Sequence, residues 1–253
     1  MKNKLPAAPY LVWMIVFILV PLIMVAYFAF TDKDGHFTLD YVSNVAQYTP
    51  IFVRSIWLAL ISTVICLLIA YPLAYILIGM NTNIQSTMLM IVMLPMWMNF
   101  LLRTYAWMAL LGNNGLINAL LGLVGLGPFK MLNTEGAVVL GMVYNYLPFM
   151  ILPIYSVMVK IDKSVLEAAA DLGCNPAKTM LKVVFPLSLP GVFSGITMVF
   201  VPAISTFIIS RMLGGGGNLL IGDLIEMQFL GNSYNINLGA AISLVLMVIV
   251  LLI

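Results

Sequence analysis

Residues 160–182 read KIDKSVLEAAADLGCNPAKTMLK and hold seven of the chain's twenty charged residues. Almost everything around them is apolar. Of the 253 residues 63% are hydrophobic and 8% charged, where a soluble domain carries about a quarter charged, so lipid rather than water solvates most of the chain. A charged, helix-forming stretch in such a sequence has to lie outside the hydrocarbon layer. It leaves apolar runs at residues 10–30, 54–80, 86–111 and 136–159 before it, and at 183–209 and 238–253 after it. About 20 such residues cross a bilayer, and spanning helices tolerate the prolines and glycines these runs contain. The predicted fold class is an all-α membrane protein with six transmembrane helices. The last run is still apolar at residue 253, so the natural chain is expected to continue. The first follows Lys2 and Lys4 as a signal peptide would. Residues 11–30 exceed a usual signal-peptide core, however, and no small-x-small cleavage site closes them, so the run is read as a retained helix.

Orientation follows from the basic residues, which gather on the cytoplasmic side of membrane proteins. Lys2, Lys4, Lys160, Lys163, Lys178 and Lys182 fall on one side of the six-span scheme and Lys33 and Lys130 on the other, with Arg54, Arg103 and Arg211 near or within helices. The uncharged segment GMNTNIQST, residues 79–87, adds nothing to this balance. The N-terminus and the charged stretch are therefore placed in the cytoplasm. Arg103 is expected to snorkel toward the interface. Cys66 in a helix and Cys174 in the charged stretch imply no disulfide framework.

Several functions are excluded by what the sequence lacks. The one histidine, His36, stands in TDKDGHFTLD, read as a solvated exterior loop, so there is no HExxH and no Ser-His pair within the bilayer. There is no GxxxxGK[ST], so the chain hydrolyses no nucleotide by itself. MLMIVMLPMWM, residues 88–98, is rich in thioethers but contains no Cys or His, which makes apolar filler the better reading than a soft-metal site. Catalytic groups and metal ligands are expected to be absent.

Within the charged stretch, Ser164 and Glu167 have the spacing of a capping box. A short helix should run through VLEAAADL and stop at Gly173, the residue best able to take the left-handed conformation beyond a helix end. Asn175 and Pro176 read as an N-cap and a first-turn proline opening a second short helix through AKTMLKVV. Glu167-Ala168-Ala169, three residues, Gly173, nine residues and Val183-x-Phe185-Pro186 together resemble the EAA loop of ABC-importer permeases, EAA-x3-G-x9-I-x-L-P. Val stands for Ile and Phe for Leu, both similar in shape. The resemblance implies the type I importer permease fold with a cytosolic coupling helix that docks in a cleft of a separate ATPase subunit. On that reading Ala168 and Ala169 permit close packing, Glu167 pairs with a basic group of the partner, and Gly173 sets the angle between the two short helices. A lever would then run into the helix from Val183. The chain itself needs no cofactor, since ATP and Mg bind the partner ATPase. Residues 1–50 are read as the first transmembrane helix and an exterior loop, and 51–253 as the transmembrane domain.

Three further stretches, LLRTYAWMALLGNNGLIN (101–118), YNYLPFMILPIYSVM (144–158) and VPAISTFIISRMLGGGGNLLIGDLIEMQFL (201–230), are similar to those of spermidine/putrescine permeases. That similarity implies a polyamine substrate and a PotC-like second permease, together with a PotA-like ATPase dimer, a PotD-like external binding protein and surrounding lipid, with no nucleic acid. Polyamine ammonium groups leaving water need carboxylates and aromatic faces, and a cation–π contact contributes about 0.5–2 kcal/mol. Asp223 and Glu226, three apart on one face of an outer-side amphipathic helix, are candidates, Glu226 ahead of Asp223, with interfacial, solvated carboxylates as the alternative. Trp97, Tyr105 and Tyr144, with Trp107 and Tyr146, are candidates for lining the pathway, and Pro95 and Pro148 for kinking its helices. Permeases for ferric ion or thiamine share parts of these stretches. A self-contained channel or secondary transporter is the alternative from another class.

Overall fold

The computed structural model describes residues 8–231 and 233–252; Lys2, Lys4 and Ile253 lie outside the described residues. The chain is a succession of helices: α1 (Ala8–Met14), α2 (Val20–Ala29), α3 (Asp40–Asn44), α4 (Thr49–Ile78), α5 (Thr82–Trp97), α6 (Phe100–Leu111) and α7 (Leu116–Leu123), then α8 (Glu135–Met158), α9 (Lys163–Asp171), α10 (Pro176–Thr179), α11 (Phe185–Ile204), α12 (Ile208–Gly214), α13 (Ile221–Leu230) and α14 (Ile236–Leu252). Five helical stretches are long and apolar enough to cross a membrane: Pro9–Ala29, Asp40–Ile78, Phe100–Leu123, Glu135–Met158 and Pro176–Ile204, the third of them interrupted by a turn at residues 112–115; Ile236–Leu252 is a shorter apolar sixth.

Two expected spans are drawn differently by the backbone. The run 86–111 breaks between α5 and α6. Met98 is extended, with ψ 149°, and the Asn99 side chain accepts the N–H groups of Leu101 at 2.9 Å and Leu102 at 3.3 Å, capping a new helix. Pro95, three residues earlier, already weakens the end of α5. The run 183–209 ends at Ile204, where the Ser205 hydroxyl donates back to the Val201 carbonyl at 3.1 Å and Phe207 leaves helical geometry. Hydropathy counts apolar residues and is blind to both breaks.

Prolines also explain two wide turns. Ile15–Leu19 and Met180–Val184 are π-helical, and each is followed by a residue that donates its N–H five positions back, Val20 to Ile15 and Phe185 to Met180. In both cases the next residue is a proline, Pro21 or Pro186. A proline has no N–H to give, and its ring collides with the carbonyl four residues earlier, so widening the preceding turn lets the helix continue.

The chain divides into two compact units, one of residues up to Val53 together with those from Ile221 onward, the other Arg54–Leu220. In the first, α14 packs on α2, α13 and α3. Buried Asn237 donates to the carbonyls of Phe28 at 3.1 Å and Thr31 at 2.6 Å, satisfying the end of α2. His36 lies in an exposed loop closed by its carbonyl accepting the Asp32 N–H at 2.8 Å.

In the second unit α8 and α11 form the most extensively packed pair. Met150 and Ile154 of α8 are fully enclosed, and α11 meets them through glycines. A β-carbon on Gly191 would stand 2.8 Å from the Pro153 carbonyl oxygen, and one on Gly195 would stand 3.2 Å from that of Met150. Between membrane helices, where lipid removes the hydrophobic incentive to associate, such small residues allow the close backbone approach on which packing depends. A polar pair adds to the seam, the Tyr146 hydroxyl donating to the Pro202 carbonyl at 3.3 Å, and the Tyr71 and Ser188 hydroxyls, 3.0 Å apart, join α4 to α11. At one end of the unit Arg54 pairs with Glu135 at 2.6 Å and donates to the Asn218 side-chain carbonyl at 2.6 Å. The pair is a third to a half exposed, so it contributes at most about 1 kcal/mol.

Candidate functional site

The charged stretch folds as a short helix and a turn. The helix starts one residue before Ser164, because Asp162 is its cap: the carboxylate accepts the Ser164 N–H at 3.0 Å. The predicted Ser164/Glu167 capping box therefore gives way to Asp162, an equally strong cap whose charge also suits the positive end of the helix. The hydrogen bonds from Ser164, backbone first and hydroxyl second, hold the Asp162 carboxyl below its ordinary value. A depressed carboxyl favours the folded cap above the ordinary carboxylate range and loses that effect as pH falls through its own lower value. We expect protection of the first α9 amides from hydrogen exchange to be flat from about pH 6 to 8 and to weaken only on the acid side. In Asp162→Ala it should be low throughout. Equal protection in Asp162→Ala would contradict the cap.

At its other end α9 closes as predicted, on Gly173 with φ +77°. Cys174 donates to the Ala169 carbonyl at 3.0 Å and Gly173 to that of Ala170 at 2.9 Å, the paired bonds of a Schellman ending. Asn175 then accepts the Lys178 N–H at 2.8 Å with Pro176 in the first turn, also as predicted. The second helix is not a separate short one, however. It runs from Pro176 through the π turn into α11 as one apolar helix ending at Ile204, so the long helix behind α9 begins at Pro176 rather than Val183. Only the residues between Asp171 and Pro176 join the two.

Glu167, Ala168 and Gly173 are exposed, Ala169 is 6% exposed and turned inward, and Leu172 at the tip is 85% exposed. An apolar tip flanked by the exposed carboxylates of Glu167 and Asp171 is a small surface suited to insertion into another protein. Behind it lies a cleft of about 670 Å³ lined by Ile78, Met80, Thr82, Gln85, Met158 and Glu167, among others. Sequence reading passed over Gln85. Its amide donates to the carbonyls of Met80 at 2.8 Å and Ile78 at 3.3 Å and accepts the Tyr155 hydroxyl at 3.0 Å, tying the uncharged 79–87 turn to α8 beside the knob. A glutamine amid uncharged polar residues was the only signal.

The other candidate residues are scattered. Trp97, the last residue of α5, is 79% exposed and Tyr105 53% exposed, and neither makes a ring contact among the described residues. Tyr144 is half-buried and meets Trp107 edge-on at 5.4 Å. Asp223 is 1% exposed and Glu226 is half-buried on α13. The solvated reading of this pair thus fails at Asp223. Arg103 also departs from expectation: it is 8% exposed, with the Phe100 and Tyr144 rings 5.9 and 6.0 Å from its guanidinium carbon, so aromatic cover replaces snorkelling.

Comparison with known proteins places this architecture. Residues 3–253 match the sequence profile of the binding-protein-dependent transport system inner membrane component. The chain is 37% identical, over 99% of its own length and 91% of the relative's, to the spermidine/putrescine transport system permease protein PotB of Haemophilus influenzae. To the PotB of Escherichia coli it is 35% identical, over 94% of this chain and 90% of the relative. The inner membrane ABC transporter permease protein YdcU of Escherichia coli is 31% identical over 83% of this chain and 70% of that one. In fold it is similar to a chain of a bacterial ABC transporter involved in the import of the acidic polysaccharide alginate, with a TM-score of 0.75, 17% identity and coverage of 96% of this chain and 90% of the other.

Proposed function

Because this chain belongs to the family of binding-protein-dependent transport system inner membrane components, we propose that it is the membrane-spanning permease subunit of an ATP-driven importer of spermidine and putrescine. The observation that carries the substrate is the 37% identity to the Haemophilus influenzae permease across 99% of this chain. The chain is not itself an enzyme. ATP and Mg bind a pair of ATPase subunits of the PotA type, and this chain pairs with a second permease of the PotC type and receives polyamine from an external binding protein of the PotD type. The N-terminus and α9 lie on the cytoplasmic side.

The coupling step follows from the geometry of α9. Its exposed face, Glu167, Ala168 and the Leu172 tip, enters the ATPase cleft, where the small alanine allows close approach and Glu167 meets a basic group. When the ATPase pair closes on nucleotide, the displaced knob pulls on the helix that starts at Pro176. That helix is locked to α8 through Gly191 and Gly195, so the two move as one body, a rocking motion of the kind alternating access requires. Asp223, Glu226, Trp97, Tyr105 and Tyr144 remain the candidates for meeting the cationic substrate, now with Asp223 the more enclosed of the two carboxylates.

Uptake tests the substrate. Cells without polyamine import, given this chain with its companion subunits and binding protein, should accumulate labelled spermidine or putrescine and lose that uptake when the chain is omitted. Accumulation of ferric ion or thiamine instead would keep the importer and discard the polyamine.

A further inference from the structure

Arg103, in the first turn of α6, is buried with donors that find no match: neither Nε nor Nη1 has a hydrogen-bond partner among the described residues. The side chain is 8% exposed. The Phe100 and Tyr144 rings at 5.9 and 6.0 Å attract the cation but accept no in-plane N–H bond from it. A buried charge with unsatisfied donors is among the costliest arrangements in a protein, and an anion is what relieves it.

Room for one exists beside it. Met98, Leu102, Arg103, Trp107, Leu110 and Tyr144 line a cleft of about 190 Å³. Met98 and Leu102 at its rim are 53% and 66% exposed, and Leu101 and Tyr105 on the same helix are 45% and 53% exposed. The cleft thus opens in an uncovered, largely apolar face of α6.

Depth decides where the anion comes from. Tyr144 is nine residues from Glu135 and fourteen from Met158 within the 24-residue α8. At about 1.5 Å per residue it lies roughly 14 and 21 Å from the two ends, and with about 30 Å of hydrocarbon that places the cleft near mid-bilayer. A lipid phosphate reaches such a depth only by deforming the membrane. A carboxylate carried on a protein helix is delivered there directly.

We propose that Arg103 receives the carboxylate of an Asp or Glu on a membrane helix of a second polypeptide, which packs on the α6 face and closes the Met98–Trp107–Tyr144 cleft. Charge complementarity names the partner group, and the apolar rim names its surroundings, a helix rather than a soluble domain. The pair also neutralises a cation that would oppose passage of a polyamine nearby. The inference rests on the chain working as one subunit of an assembly, and not on its substrate.

The test compares Arg103→Met and Arg103→Glu with the unaltered chain, alone in detergent and within the assembled complex. Removing an uncompensated buried charge should leave the thermal midpoint of the isolated chain unchanged or raised. In the complex, Arg103→Glu should lower recovery of the second membrane subunit about tenfold or more, as expected for one side of a buried charge pair. A photo-crosslinking residue at Leu102 should join the two subunits, and reversing an acidic residue in the joined segment should restore assembly with Arg103→Glu. Crosslinks to lipid alone, or an equal loss of stability for Arg103→Met in isolation and in the complex, would overturn the proposal. Polyamine uptake by the unaltered complex, measured in the same membranes, reports on the functional reading separately.

Discussion

Gly173→Val is expected to leave the chain inserted in the membrane while lowering uptake about tenfold or more. Gly173 sits at φ +77° with open space around its α-carbon, so the substitution meets no steric wall, only the backbone penalty. Holding a β-branched residue in the left-handed region costs about 1–2 kcal/mol, and the Schellman ending of α9 can escape that cost by unwinding. The knob then loses its angle to the helix from Pro176, and the link from the ATPase to the membrane is lost with it. Glu167→Lys should give the same phenotype by another route, since Glu167 is exposed and shapes no part of the fold that the exchange would damage. The measurement pairs transport with ATPase co-purification. Co-purification at the normal level, with ATPase activity still responding to loaded binding protein, would show that α9 is not the contact.

Gly191→Leu is expected to have the largest effect on folding. Its β-carbon would lie 2.8 Å from the Pro153 carbonyl oxygen and 3.1 Å from the α-carbon of Ile154. Those are backbone atoms of the neighbouring helix, which cannot swing aside as a side chain could. Overpacking costs typically about 1–3 kcal/mol, and here α8 and α11 must also separate along their shared seam. Monodisperse protein recovered after extraction should fall severalfold, with Gly191→Ala intermediate. Gly122→Ala, at an exposed glycine with no atom within 4 Å, is the matched control and should behave as the parent. Normal recovery of Gly191→Leu would mean that the seam is looser than its geometry implies.

Much of this architecture was legible in the sequence because bilayer thickness turns a simple count of apolar residues into a span. The Glu135–Met158 helix falls within a residue of its predicted bounds for that reason, and its N-cap Thr134 fixes the start. Turn chemistry was equally readable at Gly173 and Asn175, where backbone conformation and side-chain donors act within a few residues. The failures share a cause. The break at Met98–Asn99 and the early end at Ser205 arise from a few polar atoms within apolar runs, which an averaged hydropathy does not resolve. The cap at Asp162 was missed because the Ser164/Glu167 spacing is also a valid start, and two competing caps cannot be ranked without the backbone. The burial of Asp223 and Arg103 depends on which neighbours fold over them, information that no local window contains. Gln85 belongs to the same class: its three hydrogen bonds join residues up to seventy positions apart.

The central claim is that this chain couples ATP hydrolysis to polyamine import through α9. The most direct test is the ATPase activity of the reconstituted complex of both permeases, ATPase and binding protein, titrated with spermidine, putrescine, ferric ion and thiamine. Stimulation by the polyamines alone, abolished by Glu167→Lys in this chain, is the predicted result. Stimulation by ferric ion or thiamine would contradict the substrate, and failure of any ATPase to assemble with the chain would contradict the coupling itself.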